Sequence, residues 1–331
     1  MRAKYTIAAT PSTDCTNCTS DRTETQMART RLVAAVAATT MATLLTACTG
    51  NGATDTSTAG GGKAATASVA ADPAVAKLLP ARFKNGINVA SGVYAPMEML
   101  DSQQKFTGFD YDLGQALGAK LDVPFTFTNQ AFDSIIPSLQ SGKHEIIMYG
   151  MNDTPARQKS LYFVDYFHAG MDIIVKKGNP EKIRSVLDLC GKSVTVAKAT
   201  TQADLMRAQA PSCKAAGKKP ITVVELPTEG DSLVAVRAGK GTADVLDAAV
   251  AEYTARTAGN GKQFEVVHDA AHPTGYAPVF TGIGVLRKDH DLVLALQAAL
   301  TAVIKDGTYG KILTKYGLSS YGVTTAKINA G

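Results

Sequence analysis

From Leu78 onward, short β-like runs alternate with helical runs, and the alternation occurs twice along the chain. This pattern constrains the fold more than composition does, because it calls for α/β units around a mostly parallel sheet. In the first round, 86–90 reads as a strand and 108–121 as an amphipathic helix carrying Phe109, Leu113, Ala116, Leu117 and Leu121 on one side. A strand over 125–128, a helical run over 134–139 closed by Ser141-Gly142, and a strand over 145–149 follow. Thr154 is placed as an N-cap, with Pro155 at the first helical position. The pattern restarts after Lys176-Lys177-Gly178-Asn179-Pro180, with strands over 193–196, 221–225 and 245–246 and helices over 231–238 and 249–258. A capping box is expected at Thr201-Gln202-Ala203-Asp204. A strand over 283–286 and a helix over 292–305 close the run. Two α/β lobes of similar size are predicted, and 331 residues are ample for both.

The front of the chain behaves differently. Residues 1–26 are polar and aperiodic, whereas Met27 opens a pattern of Arg29 and Arg31 followed by an apolar stretch over 32–45. A basic region, a short apolar region and small residues before a cut describe a secretory signal. Leu45-Thr46-Ala47-Cys48 resembles the lipobox of bacterial lipoproteins, in which the Cys becomes the lipidated first residue. Translation is then expected to start at Met27, which leaves Cys15-Thr16-Asn17-Cys18 without a redox or metal role. Residues 49–72, rich in Gly, Ala, Ser and Thr, read as a flexible tether. The expected layout is a leader over 1–47, the lipidated Cys and tether over 48–77, a first lobe over 78–171, a second over 172–281 and a return over 282–331. A net charge of +5 with mixed signs does not call for a nucleic-acid partner. Membrane attachment is expected through the lipid alone, since no apolar run reaches the roughly 18 residues of a membrane-spanning helix.

Enzyme and cofactor motifs are incomplete. Gly191-Lys192-Ser193 lacks the earlier glycine of a phosphate loop, because Val186 stands at that position. The pair His268 and His272 has i,i+4 spacing but no intervening Glu, and Pro273 follows it, so a polar loop is expected rather than a metal site. What remains is a set suited to a zwitterion. Arg157 sits in the first turn of a helix, where its guanidinium fork and free backbone N–H groups could meet a carboxylate. Thr201 opens a helix in the second lobe and offers a hydroxyl and further N–H groups. Asp247 follows Val245-Leu246 at the exit of a buried strand, where a carboxylate could accept an ammonium group. Tyr94 and Phe132, in connecting segments, are candidate flat walls.

The order of these residues resembles the bacterial extracellular solute-binding proteins of family 3, the amino-acid receptors of ABC importers. The likeness spans residues 79–321. It rests on Tyr94-Ala95-Pro96-Met97-Glu98, on Gly108-Phe109-Asp110-Tyr111-Asp112-Leu113, and on Phe132-Asp133-Ser134-Ile135-Ile136-Pro137-Ser138-Leu139 with Gly142-Lys143 after it. Asn152-Asp153-Thr154-Pro155-Ala156-Arg157, Asp188-Leu189-Cys190-Gly191-Lys192, Ala199-Thr200-Thr201-Gln202 and Asp306-Gly307-Thr308-Tyr309 continue the order.

The resemblance implies a two-lobe, periplasmic-binding-protein-like type II fold with a ligand cleft between the lobes. It implies a monomeric receptor, without cofactor or catalysis, that hands an amino acid to a membrane permease. By position, Arg157 clamps the ligand α-carboxylate with help from the backbone at Thr201, and Asp247 takes the α-ammonium. Tyr94 and Phe132 match the aromatic walls, and Gly150 and Asn152 match positions that contact the ligand's polar ends. Asn152 departs from the usual Ser or Thr, and Met97 from the customary Phe. Ser91 stands where receptors for basic amino acids tend to carry an Asp, so a polar or neutral amino acid or close derivative is expected. An enzyme resembling the dehydratases of aromatic amino-acid synthesis is the alternative, with Glu98 its candidate acid. Cys190 and Cys213, the only cysteines after Cys48, are expected to pair in an exported chain.

Overall fold

The computed structural model describes residues 69–331. The leader, Cys15, Cys18 and the proposed lipid attachment at Cys48 lie outside the described residues. No helix among the described residues is long and apolar enough to cross a membrane.

Two groups of parallel strands are joined through a pair of long antiparallel ones. In the first group, Ile87–Ser91 lies between Phe125–Asn129 and Ile146–Ile147, all parallel. In the second, Ser193–Ala197 lies between Thr222–Leu226 and Ala243–Asp247, again parallel. The central strand of each group is buried along most of its length, polar Ser91 and Thr195 included, because helices cover both faces of such a sheet. The sheet is therefore mixed, not mostly parallel, at its centre. Leu161–Lys176 and Tyr276–Leu286 pair with each other in antiparallel register from Tyr276 opposite Met171 to Leu286 opposite Leu161. The first half of the longer strand also meets Gly322–Ile328, and its second half meets Ala243–Asp247 and Phe264–Val267. These two strands thus run through both lobes.

The 16-residue strand went unread in the sequence. Its residues are buried on both faces for most of its length, so the period-2 alternation that marks a half-exposed strand is missing. Elsewhere the local signals hold. The helix Phe109–Leu121 buries the five apolar residues expected of it. Gly108 caps it at φ 115°, and a Cβ there would lie 2.5 Å from the Met97 carbonyl oxygen, which leaves glycine as the residue that fits.

Residues before Leu78 also pack on the body. Asp72 accepts from the Ala74 and Val75 N–H groups at the head of the short helix Pro73–Ala76, and Val75 and Val69 pack on the first core. That core joins Phe109, Leu113 and Leu117 to Leu292, Leu296 and Leu300 of His290–Lys305. A second core gathers Ile173, Val194, Met206 and Val245. Cys190 and Cys213 lie in it and are disulfide-bonded, 5.5 Å apart at Cα. Closing a loop of 23 residues contributes about 3 kcal/mol by limiting the unfolded chain.

Candidate functional site

The carboxyl ends of the two parallel strand groups face each other across a cleft, the place where open α/β sheets bind ligands. Tyr94, Phe132, Gly150, Asn152, Arg157 and Asp247 all line one cavity there. The structure therefore brings together six of the seven residues singled out in the sequence.

Asp247 ends the strand Ala243–Asp247, which explains how a carboxylate reaches the cleft while only 6% exposed. Its Oδ2 accepts from the Tyr94 hydroxyl at 2.8 Å and from Gln202 Nε2 at 3.2 Å, and its Oδ1 accepts from Asn152 Nδ2 at 3.2 Å. Burial raises the Asp247 carboxyl above its ordinary range, while these donors and the charge of Arg157 pull the other way.

Arg157 stands in the one-turn helix Pro155–Gln158. Its Nη1 donates to the Asn152 carbonyl at 2.8 Å and its Nη2 to the Ala199 carbonyl at 3.2 Å, in the opposite lobe. Burial pulls the guanidinium down to about 10, against the charges of Asp247, Asp204 and Asp153, so it stays cationic at neutral pH. The Phe132 ring lies 5.4 Å from the guanidinium carbon, and Tyr149 meets Phe132 edge-on at 5.2 Å. One expectation changes here. The Arg157 N–H donates to Thr154 Oγ1 at 3.3 Å, so the guanidinium, and not this backbone group, is free for a carboxylate.

Two further assignments shift. Thr200, not Thr201, is the N-cap of Thr201–Arg207: its hydroxyl accepts from the Ala203 N–H at 3.3 Å, and no capping box forms. Thr200 lines the cavity, whereas Thr201 turns its hydroxyl to Asn152 Oδ1 at 2.5 Å. Two adjacent threonines both satisfy the cap pattern, and only the chain's approach to the helix decides between them. The Gly150 N–H donates to Asp110 Oδ2 at 3.1 Å, which leaves its carbonyl for a ligand. Gly150 has φ 52°, and a Cβ there would press on the Tyr94 ring at 2.9 Å.

Asn152 ties the lobes together. Beside its bonds to Thr201 and Asp247, its Nδ2 reaches Thr281 Oγ1 at 3.2 Å. A Ser or Thr hydroxyl is too short to hold three such partners, so the departure at 152 has a geometric consequence.

Sequence reasoning missed Val93, Tyr149, Ala197, Thr200, Gln202, Pro227, Thr228 and Glu229, which also line the cavity. Gln202 was legible as the neighbour of Thr201. Glu229 was not, because a Glu in the first turn of a helix ordinarily serves the helix dipole in solvent. Ser91, by contrast, is fully buried outside the lining, with its hydroxyl unpartnered. Glu98 is also fully buried outside the lining, beside Asp110, whose Oδ2 holds the Tyr166 hydroxyl at 2.6 Å.

A family model for bacterial extracellular solute-binding proteins, family 3, matches residues 87–319. The lysine/arginine/ornithine-binding periplasmic protein of Escherichia coli (strain K12) is 31% identical, over 67% of this chain and 84% of its own length. A solved structure of an ancestral arginine-binding protein bound to arginine matches with a TM-score of 0.62 at 31% identity, covering 70% of this chain and 97% of that one. An ancestral amino acid-binding protein that is a precursor of cyclohexadienyl dehydratase matches with a TM-score of 0.61 at 31% identity, covering 70% and 94%. With its mixed α/β architecture and two-lobe type II fold, the chain belongs to the bacterial extracellular solute-binding proteins of family 3, amino-acid-binding receptors of ABC importers.

Proposed function

We propose that this protein captures a polar amino acid, or a close derivative, between its lobes and delivers it unchanged to a membrane permease. The observation that carries this reading is the convergence of Arg157 from one lobe and Asp247 from the other on a single cavity. One half-buried cation and one buried anion are the complement of an α-carboxylate and an α-ammonium group. Tyr94 and Phe132 would wall the ligand, Asn152 and the Gly150 carbonyl would meet its polar ends, and Thr201 would hold Asn152 in place. A cationic side chain is not excluded by Ser91, since that residue does not face the cavity and Glu229 supplies a carboxyl that does.

The lobes in this reading are 78–171 with 282–331, and 172–281. The chain passes between them inside the two shared strands, where hydrogen-bond partners change. A ligand that touches both lobes favours the closed arrangement over the open one, which couples capture to presentation at the permease. The protein acts as a monomer in this scheme.

A thermal-shift panel of amino acids tests the reading. At a hundredfold excess over Kd, a ligand adds about 2.7 kcal/mol of apparent stability, so at least one member of the panel is expected to raise Tm by several degrees. Recovery of that ligand intact by mass spectrometry is also expected. A silent panel, or a dehydrated product, would overturn the proposal. Against the enzyme alternative stands the position of its sequence candidate, Glu98, which is fully buried and is not part of the cavity lining.

We further propose that Cys48 carries the lipid that holds the receptor at the outer face of the cytoplasmic membrane. Cys48→Ser is expected to move the protein from the membrane fraction to the soluble fraction. Recovery of the unsubstituted protein in the soluble fraction would sink this assignment.

A further inference from the structure

We infer that Glu229 is the specificity-determining residue of the cleft: its carboxylate accepts the N–H donors at the end of the ligand's side chain, and its ionisation selects a cationic amino acid over a neutral one. This deepens the receptor reading and rests on it.

Three charged side chains line the cavity: Arg157, Asp247 and Glu229. The first two are matched by the ligand's own α-groups, which leaves Glu229 as the charge without a counterpart. The neutral polar groups nearby bring no charge that would select a cation. The Tyr94 hydroxyl donates to Asp247, and the Tyr149 hydroxyl accepts from the Val93 N–H at 3.2 Å. Glu229 stands at the first position of Glu229–Arg237, a helix whose start is fixed by a capping box in which Thr228 and Asp231 satisfy each other.

Behind Glu229 lies Asp244, fully buried. Glu229 Oε1 and Asp244 Oδ2 are both closed to solvent, and no protein N–H or hydroxyl reaches either. Each is the other's partner, through the proton that Asp244 retains, and Glu229 Oε2 is left for a ligand. Burial, with the charge of Asp247 adding to it, pushes Glu229 up to about 7, although the hydrogen bond from Asp244 lowers it. Burial and the Glu229 charge hold Asp244 well above the carboxylate range.

The other titratable groups around Glu229 do not compete. Tyr94 and Tyr149 face it from the first lobe, and burial keeps both phenols neutral. The neighbouring strand Ser193–Ala197 has no titratable side chain, and Thr222–Leu226 brings only Glu225, which is tied to Arg207. Asp172 opens onto a separate cavity with His268 and Glu252. A cation therefore binds the ionised form of Glu229, and below pH 7 its entry expels one proton from the Glu229 carboxyl to the buffer.

The test is calorimetry with arginine and lysine against citrulline and glutamine, from pH 5.5 to 8.5, on the full protein and on Glu229→Gln and Asp244→Asn. The α-groups are common to all four probes, so the ratio of cationic to neutral affinity cancels Arg157 and Asp247. The ratio is expected to climb by up to about tenfold per pH unit below pH 7 and then level off. Proton release is expected to accompany the binding of cations alone. Glu229→Gln should flatten the climb and abolish the release. Asp244→Asn, which keeps a donor to Glu229, should retain both. A flat ratio in the unsubstituted protein, or an unaltered climb in Glu229→Gln, overturns the inference while leaving the receptor reading intact. Loss of the climb in Asp244→Asn alone assigns the titration to Asp244 and also overturns it. Failure of every amino acid to bind overturns both readings.

Discussion

Replacing Arg157 with alanine is expected to weaken amino-acid binding by roughly a hundredfold or more. Removing one member of a buried ion pair costs about 3–5 kcal/mol, and the low end applies because Arg157 is half-buried. The loss arises because a carboxylate taken out of water would find no positive charge in its place. Arg157→Lys is expected to recover only part of it. An ammonium is a point charge and cannot bridge both carboxylate oxygens while also holding the Asn152 and Ala199 carbonyls. Calorimetry on the ligand found in the thermal-shift panel checks this, with Tm of the unliganded variant as the folding control. An unchanged Kd would remove Arg157 from the site.

Asp247→Asn is expected to have a comparable effect on affinity without lowering stability at pH 8. The amide keeps the shape of the carboxylate but loses the charge that meets the α-ammonium, so about 2–5 kcal/mol of binding should disappear. Stability follows from the direction of the Asp247 shift. Burial raises this carboxyl in the folded protein, so the folded state holds its proton more tightly than the unfolded state does. The stability this contributes is present at low pH and is lost as pH rises through the folded value. The asparagine variant has no such loss, and its unliganded Tm at pH 8 should be no lower than that of the parent. A fall in both Tm and affinity would point to a structural role for Asp247 through Tyr94, Asn152 and Gln202.

The two substitutions separate what the cleft does for a ligand from what it does for the fold. Tyr94, Asn152 and Arg157 all bond across the cleft to the second lobe. The same groups would have to exchange those partners for a ligand. Selectivity then depends on how well the ligand replaces bonds the protein already makes to itself.

Local chemistry was legible wherever neighbours in sequence are neighbours in space. Thr154 and Pro155 announce the turn that carries Arg157, and five apolar residues spaced around 108–121 announce the face that helix buries. The lobes themselves follow from strand–helix alternation. The residues of the site were readable partly from their types and mainly from the order that resembles a known family.

Distance in sequence hid the rest. The strand Leu161–Lys176 is buried on both faces for most of its length and pairs with partners up to 164 residues away, as at Ile328 opposite Val164, so no alternation reveals it. Thr200 and Thr201 compete for one cap, and the contact of Thr201 with Asn152, 49 positions earlier, assigns them different tasks. Glu229 looks like an ordinary first-turn acid until the sheet sets Asp244 behind it and the cleft in front. By itself the sequence determined the α/β class, the elements that carry Arg157 and Asp247, and the disulfide partners. Only the tertiary structure decided which oxygen and nitrogen atoms remain free to meet a ligand. Hydrogen bonding is short-ranged and directional, and whether a group is already satisfied depends on partners that the fold alone brings within 3 Å.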